Sequence, residues 1–294
     1  MNFGRLITAM VTPFDHNGDI DWATTERLIN YLIDDQKTDS IVVAGTTGES
    51  PTLSNSEKEQ LFKYVVEKVA GRVKVIAGTG TNNTRSTIEL SQIAENCGVD
   101  ALLVVTPYYN RPTQDGLFLH YKAVASSVKL PILLYNVEGR TAVNLTAETT
   151  IKLAQECPNI IGTKECANLQ QVATIIENSP EGFLVYSGDD IAALPAMAVG
   201  ADGLISVVSH IVGKELKAMI QAFEAGNVKE AAQIHRSLLP IFKGLFAIQS
   251  PIPVKYALEC VAFPVGDVRL PLAPITEEQK QFVKQIPFIT AKLK

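Results

Sequence analysis

Lys164 is the residue of this sequence best suited to covalent chemistry. It directly follows residues 159–163 (NIIGT), an apolar run typical of a buried β-strand. A lysine at the end of a buried strand is partly removed from water, which favours a neutral, nucleophilic amine. Such an amine can attack a carbonyl group and form a Schiff base. The alternative interpretation is a lysine that reaches solvent or pairs with the adjacent Glu165.

A glycine-flanked pair of threonines could bind an anion. Thr46 and Thr47 lie between Gly45 and Gly48, where backbone N–H groups can approach a carboxylate closely. No Gly-Lys-Ser/Thr sequence follows, so this is not a nucleotide-binding P-loop. The alternative is an ordinary loop that caps a helix.

Two tyrosines and an arginine follow other apolar runs. The phenols of Tyr109 and Tyr135 can transfer protons, although tyrosines in such positions also serve as packing residues. Arg140 can bind a carboxylate with two parallel hydrogen bonds, or it can be a surface charge. The Asp189-Asp190 pair is expected to cap a helix that begins near Ile191.

Eight short apolar runs alternate with segments of helical period, which predicts an α/β protein with parallel strands and right-handed crossovers. Eight such units favour a (β/α)8 TIM barrel, and in that fold functional groups lie at the C-terminal ends of the strands. The expected strands are Leu6–Thr12, Ser40–Gly45, Val73–Gly78, Ala101–Thr106, Pro131–Asn136, Ile160–Lys164, Phe183–Ser187 and Gly203–Val208.

The expected helices have recognisable ends. Polar N-caps are predicted at Asp21, Ser56, Thr84 and Thr146, and glycines at positions 71, 98 and 226 should end helices. Helical segments at 214–225, 228–246, 253–261 and 277–292 end the chain. We therefore expect a barrel over residues 1–225 and a small C-terminal helical extension, residues 226–294, that packs on the barrel.

Composition excludes several classes of protein. The 294 residues are 46% hydrophobic, and 26 basic against 31 acidic residues give a net charge of −5, which argues against nucleic acid or an anionic membrane as partner. The four cysteines form no CxxC pair, and the four histidines have no metal-binding spacing. Neither a signal peptide nor a membrane-spanning run is evident. We expect a cytoplasmic protein with reduced thiols and no metal ion.

Taken with these strand ends, the chain resembles the dihydrodipicolinate synthase family, pyruvate-dependent class I aldolases of the N-acetylneuraminate lyase superfamily. The resemblance extends over essentially the whole chain. GTTGE with the YN…K pair indicates only the superfamily, whereas TPYYN with an arginine just after YNV is more specific. The motifs are TAMVTPF, GTTGESPTL, VIAGTG, TPYYNRP, LYNVEGRT, IIGTKE, YSGDD, GLISV, PIPVKYAL and VRLPL.

The resemblance implies a role for each matching residue. Lys164 would form the Schiff base with pyruvate, and Tyr135 would donate and accept protons during imine formation and cyclisation. Thr46 and Tyr109 would complete the proton relay. In this family the second tyrosine of TPYYN reaches into the active site of a neighbouring subunit, so a homodimer or homotetramer is implied.

Three further positions match substrate-binding residues of the family. Thr47 would bind the carboxylate of pyruvate, the main chain of Ile205 would contact pyruvate, and Arg140 would bind the carboxylate of L-aspartate 4-semialdehyde. The implied reaction is the condensation of these two substrates to 4-hydroxy-tetrahydrodipicolinate, the first committed step towards diaminopimelate and lysine, with no metal or organic cofactor.

One position departs from the family pattern, and two other functions remain open. Glu138 replaces a proline next to Arg140, and either lost rigidity or pairing with the guanidinium would weaken binding of the semialdehyde. The alternative functions are a Schiff-base aldolase for sialic acid or a 2-keto-3-deoxy sugar, and a non-catalytic keto-acid-binding protein. Arg140 with TPYYN favours an amino-acid semialdehyde, and an intact Lys164 and Tyr135 favour catalysis.

Overall fold

The eight strands of the protein form a closed barrel in the order β1 to β8, as described by a computed structural model for residues 2–293. This confirms the predicted (β/α)8 architecture. The paired strands run parallel and are almost wholly buried, as in a sheet covered by helices. They are β1 (Leu6–Ala9), β2 (Ser40–Val43), β3 (Lys74–Gly78), β4 (Ala101–Val105), β5 (Ile132–Asn136), β6 (Ile160–Glu165), β7 (Leu184–Ser187) and β8 (Gly203–Ser206).

Helices follow the strands and also form the C-terminal part of the chain. They are α1 (Trp22–Asn30), α2 (Asn55–Val69), α3 (Thr84–Asn96), α4 (Gln114–Ser127), α5 (Glu138–Thr141), α6 (Ala147–Glu156), α7 (Leu169–Asn178), α8 (Ala193–Ala198), α9 (Ser209–Glu224), α10 (Val228–Gly244), α11 (Ile252–Cys260), α12 (Glu277–Lys284) and α13 (Pro287–Lys292). The predicted helix over 277–292 is thus two helices. Pro287 begins the second, since it lacks the N–H that would continue the first.

Polar caps fix the starts of the helices. The side chains of Asp21 and Thr146 accept hydrogen bonds from backbone N–H groups in the first turns of α1 and α6, as predicted. Gly71, Gly98 and Gly226 follow the ends of α2, α3 and α9 with positive φ angles of 74°, 79° and 80°, which confirms their role as helix terminators.

Two predicted helix starts were wrong by one or two residues. The N-cap of α2 is Ser54 and not Ser56, because Ser54 and Glu57 form a reciprocal capping box. The N-cap of α3 is Asn83 and not Thr84, since the Asn83 side chain accepts the hydrogen bond from the backbone of the first turn. In both places several capping residues lie close together, and the geometry of the incoming loop selects among them.

Two compact units are recognised within the chain, residues 1–73 with 206–294 (unit 1) and residues 74–205 (unit 2). In unit 1, α9 packs against β1, α10 and α11. In unit 2, a buried apolar cluster joins α6, α7 and β7 through Ala147, Val172, Ile175 and Val185. The expected boundary at residue 225 stays a prediction; the final residue of the expected extension, Lys294, lies outside the described residues.

No helix within residues 2–293 is both long enough and apolar enough to cross a membrane. No disulfide joins the four cysteines, Cys97, Cys157, Cys166 and Cys260, all of which lie within the described residues. The cytoplasmic location expected from the sequence stays a prediction.

Candidate active site

Lys164 and Tyr135 are brought together by the pairing of β5 with β6. The two residues are register partners in neighbouring parallel strands, so their side chains project from the same face of the sheet. Lys164 is 5% exposed, and its Nζ lies 4.3 Å from the centroid of the Tyr135 ring. The sequence therefore placed Lys164 correctly as a buried residue at a strand end, next to a phenol.

Glu165 does not pair with Lys164, which excludes one of the alternative interpretations of the lysine. Successive side chains of a strand point to opposite faces, and no ion pair joins these two residues in the described part of the chain. The Glu165 carboxylate instead accepts hydrogen bonds from Asn136 Nδ2 (2.8 Å), the backbone of Ala167 (2.9 Å) and Gln171 Nε2 (3.3 Å). Burial outweighs these bonds and raises the pKa of Glu165 to about 7.

The space around Lys164 is limited by Gly188, which follows β7. A Cβ atom at position 188 would lie 2.9 Å from Lys164 Cε and closer still to Cys166 Sγ. Contacts this short do not occur between unbonded carbon atoms, so a Cβ atom at position 188 would displace the side chain of Lys164 or Cys166. Burial raises the pKa of the Cys166 thiol to about 11, partly offset by the nearby charge of Lys164. The thiol is therefore neutral near pH 7.

Arg140 lies on the short helix α5, where its side chain is exposed. Glu138 is the first residue of the same helix, yet no ion pair between Glu138 and Arg140 is present among residues 2–293. The pairing considered from the sequence is thus not observed, which leaves loop rigidity as the reason why position 138 would matter. At the end of α5, Thr141 accepts a hydrogen bond from the Thr106 hydroxyl at 3.2 Å.

Tyr109 is highly exposed and has an unusual backbone conformation. It lies in the loop after β4, and 88% of its surface is accessible. Its φ angle is +74°, in the left-handed region, which costs a residue other than glycine about 1 kcal/mol or more. No partner within unit 2 explains why the Tyr109 ring is exposed to water on a strained backbone.

The ends of β7 and β8 contribute a turn and a buried side chain. Asp189 Oδ1 accepts a hydrogen bond from the backbone of Ile191, but α8 begins only at Ala193, so Asp189 caps a turn and not the predicted helix. Ile205 is 1% exposed within β8, so its side chain belongs to the core. Across residues 2–293, no group of three or more His, Cys, Asp or Glu side chains is arranged to hold a metal ion.

In unit 1, the loop that carries Thr46 and Thr47 is anchored by a buried ion pair. Thr47 is buried and Thr46 is partly buried. Glu49 ends the loop with a φ of +56°, and its carboxylate lies 2.6 Å from Lys255 Nζ on α11, with both side chains at most 3% exposed. Burial lowers the pKa of Lys255 more than the Glu49 carboxylate raises it.

Arg269 completes this anchor. Its backbone N–H donates to Glu49 Oε2 at 2.9 Å, and its guanidinium donates to Glu57 and to the carbonyl groups of Gly18 and Thr52. The guanidinium lowers the pKa of Glu57 to about 2. Sequence reasoning gave Lys255 and Arg269 no function, although both lie in the motifs PIPVKYAL and VRLPL. A lysine inside an apolar helix was the signal that could have identified the ion pair.

Comparison with known proteins gives a consistent result. Residues 2–288 match the Dihydrodipicolinate synthetase family. A 4-hydroxy-tetrahydrodipicolinate synthase from Halalkalibacterium halodurans is 55% identical over 96% of this chain and 95% of that protein. The crystal structure of a dihydrodipicolinate synthase from Bacillus anthracis is 49% identical, with a TM-score of 0.96 over 99% of each chain. A dihydrodipicolinate synthase variant characterised as monomeric is 38% identical, with a TM-score of 0.95 over 99% of this chain and 98% of that one.

The close contact at Gly188 gives a first prediction. Gly188→Ala should displace Lys164 and slow the formation of a borohydride-trapped adduct with a small keto acid by about ten-fold or more, since misplacing a reacting group by 1 Å can cost 10²-fold. The adduct is measured by intact mass spectrometry. Gly139→Ala is the control, because a Cβ at position 139 meets nothing within 4 Å. An adduct rate for Gly188→Ala equal to that of the control would contradict the steric argument.

Proposed function

The chain belongs to the dihydrodipicolinate synthetase family, and we propose that Lys164 is the residue through which it condenses pyruvate with L-aspartate 4-semialdehyde. The reaction gives 4-hydroxy-tetrahydrodipicolinate, as the names of its curated relatives indicate, in the first committed step towards diaminopimelate and lysine. The observation that carries the proposal is the buried Lys164 amine 4.3 Å from the centroid of the Tyr135 ring.

The chemistry follows from an amine held at a strand end. The Lys164 amine attacks the keto carbon of pyruvate, and loss of water gives a protonated imine. The imine draws electrons from the methyl group, which loses a proton to give an enamine. The enamine carbon attacks the aldehyde, the amino group of that substrate closes onto the imine carbon, and the lysine is released. The protein supplies proximity and proton transfer.

Tyr135 is proposed as the proton donor and acceptor for these steps. Strand register fixes its ring beside the Lys164 amine, which supports a role for its phenol in loss of water and in ring closure. Thr46 is proposed as a further member of the proton relay. Thr47 is proposed to bind the pyruvate carboxylate, and Ile205 to contact pyruvate through its main chain, because its side chain is committed to the core.

Arg140 is proposed to bind the carboxylate of L-aspartate 4-semialdehyde. Its exposed guanidinium is not held by Glu138, so its donors remain available for a planar anion. Since α5 has only four residues, the precision of this contact depends on how firmly the loop is held.

A second copy of the chain is proposed as partner, in a homodimer or homotetramer. Tyr109 supports this, because an exposed aromatic ring on a left-handed backbone is accounted for if the ring enters a neighbouring subunit. Such a contact would exclude water from the ring and offset the strain. Tyr109 is then proposed to join the proton relay of that neighbouring subunit. Because one relative is a monomeric variant, the oligomeric state of this chain has to be measured.

Trapping the Schiff base tests the central proposal. Treatment with borohydride in the presence of pyruvate should add the mass of one reduced pyruvate imine to each wild-type chain, and Lys164→Ala should abolish the adduct. Lys152→Ala, which removes an exposed lysine, is the matched control and should retain it. Folded, active wild-type protein without an adduct would exclude the Schiff-base mechanism and favour a protein that only binds keto acids.

The loop around Arg140 gives a prediction for the second substrate. Proline is well tolerated at the first position of a helix, so Glu138→Pro should rigidify the loop and lower the KM for L-aspartate 4-semialdehyde about two- to five-fold, corresponding to the roughly 0.4–1 kcal/mol expected from reduced backbone entropy. Arg140→Ala should raise the same KM without changing formation of the pyruvate adduct. Steady-state kinetics measure both, and an unchanged KM in Glu138→Pro would remove the rigidity argument.

Mixed oligomers test the role of Tyr109. Tyr109→Phe and Lys164→Ala should each be nearly inactive alone. Co-expressed with separate tags and purified as a hybrid, they should regain activity, because one site then combines an intact Lys164 with an intact Tyr109 from the other subunit. If Tyr109 acts within its own chain, both sites of the hybrid are defective and no activity returns.

A further inference from the structure

Behind the Lys164–Tyr135 pair lies a buried hydrogen-bonded network that centres on one carboxylate. Glu165 immediately follows Lys164, and its register partner Asn136 immediately follows Tyr135. The two are 2% and 1% exposed, and Asn136 Nδ2 donates to Glu165 Oε1 at 2.8 Å. This side-chain hydrogen bond therefore adds to the backbone pairing of β5 and β6 at the positions next to Lys164 and Tyr135.

The same network holds the end of the loop that carries Arg140. Asn136 Oδ1 accepts a hydrogen bond from the backbone of Leu145 at 2.9 Å, and Asn136 Nδ2 also lies 2.7 Å from Asn144 Oδ1. Gln171 on α7 donates to Glu165 Oε2 at 3.3 Å and to the Leu145 carbonyl at 2.9 Å. Residues 144 and 145 are thus tied to Glu165 by two routes.

Glu165 is the only charged group among these hydrogen-bonded side chains, and none of the described basic side chains forms an ion pair with it. A buried carboxylate without a counter-ion is costly unless its oxygens are fully hydrogen-bonded. Three donors, from Asn136, Ala167 and Gln171, meet this need. Each donor belongs to a different segment, so the carboxylate can be satisfied only when the segments are in their places.

We propose that Glu165 is a positioning residue, whose carboxylate holds the Lys164–Tyr135 pair and the loop that carries Arg140 in one fixed arrangement. The inference rests on the proposed function of these three residues. Glu165 then acts in two steps of the reaction: imine formation, which depends on the strand ends, and semialdehyde binding, which depends on the loop. A residue that only stabilised the fold would not change the kinetic constants of the folded enzyme.

Two variants separate the two branches of the network. Glu165→Gln should slow formation of the trapped pyruvate adduct and raise the KM for the semialdehyde, each by about ten-fold, the scale expected when reacting groups are misplaced by a fraction of an ångström. Gln171→Ala should raise that KM about three-fold or more and leave the adduct rate unchanged, because it removes the α7 route to residues 144 and 145 but keeps the shorter Asn136–Glu165 bond at the strand ends. Glu177→Gln, on the exposed side of α7, is the matched control for charge and should resemble wild type.

The dependence on pH provides an independent readout. Burial raises the pKa of Glu165 to about 7, so the carboxyl becomes protonated as the pH falls below 7 and then presents an O–H where it accepted a bond. The wild-type KM for the semialdehyde should therefore rise from pH 8 to pH 6, and Glu165→Gln should lack this rise. Tyr121 on α4 and the Cys166 thiol do not titrate in this range, because burial raises their pKa values further.

Failure of the positioning role of Glu165 can be distinguished from failure of the proposed function. If wild type forms no pyruvate adduct, the Schiff-base proposal fails before Glu165 is considered. The positioning role is overturned if wild type forms the adduct and if the adduct rate and the semialdehyde KM of both Glu165→Gln and Gln171→Ala lie within two-fold of those of Glu177→Gln. If Glu165→Gln does not fold, Gln171→Ala decides, since its half-buried side chain lies on a peripheral helix and an unchanged KM in a folded variant also overturns the proposal.

Discussion

The alternation of side chains along β6 is the constraint on which the candidate active site depends. In a strand that is covered on both faces, neighbouring residues must point to opposite sides. Lys164 therefore faces Tyr135, its partner in register, while Glu165 faces α7 and the loop before α6. Lys164, the proposed nucleophile, and Glu165, the proposed anchor, are adjacent in sequence, so any movement of one is transmitted through a single peptide unit to the other.

Two buried carboxylates are stabilised in different ways, and the difference suits their surroundings. Glu49 is paired with Lys255 and also bound by the backbone of Arg269, an arrangement in which loss of one partner would cost about 3–5 kcal/mol. The side chains of lysine and arginine carry only hydrogen-bond donors, so they suit a loop whose available backbone groups are carbonyls. Glu165 is held by amides, and an amide both donates and accepts. Asn136 can therefore bind Glu165 with its NH2 group and the backbone of Leu145 with its oxygen, which no basic side chain could do.

The parts of the fold that the sequence predicted well are those governed by local chemistry. The eight strands were located within about three residues at their ends, because continuous apolar runs such as SIVV and ALLVV have few other possible structures. Lys164 was placed at a buried strand end by the same reasoning. Errors occurred where neighbours compete, as with Ser54 against Ser56. The anchoring contacts escaped sequence reasoning, because Arg269 and Glu49 are 220 residues apart and no local pattern links them.

The exposed candidate residues also show the difference between positions fixed by local chemistry and positions fixed by contacts that are distant in sequence. Arg140 and Tyr109 are the most exposed candidate residues, and neither lies on a strand: Arg140 is on the short helix α5 within its loop, and Tyr109 is in the loop after β4. A loop residue can serve catalysis only if its backbone is fixed by something other than strand pairing. For Arg140 that fixation comes from the amide network around Glu165. For Tyr109 the left-handed backbone fixes the direction of the ring, and a neighbouring subunit would have to supply the rest. In the proposed mechanism, rigid strands thus determine where the Schiff base forms, and the segments that carry Arg140 and Tyr109 determine which aldehyde can reach it.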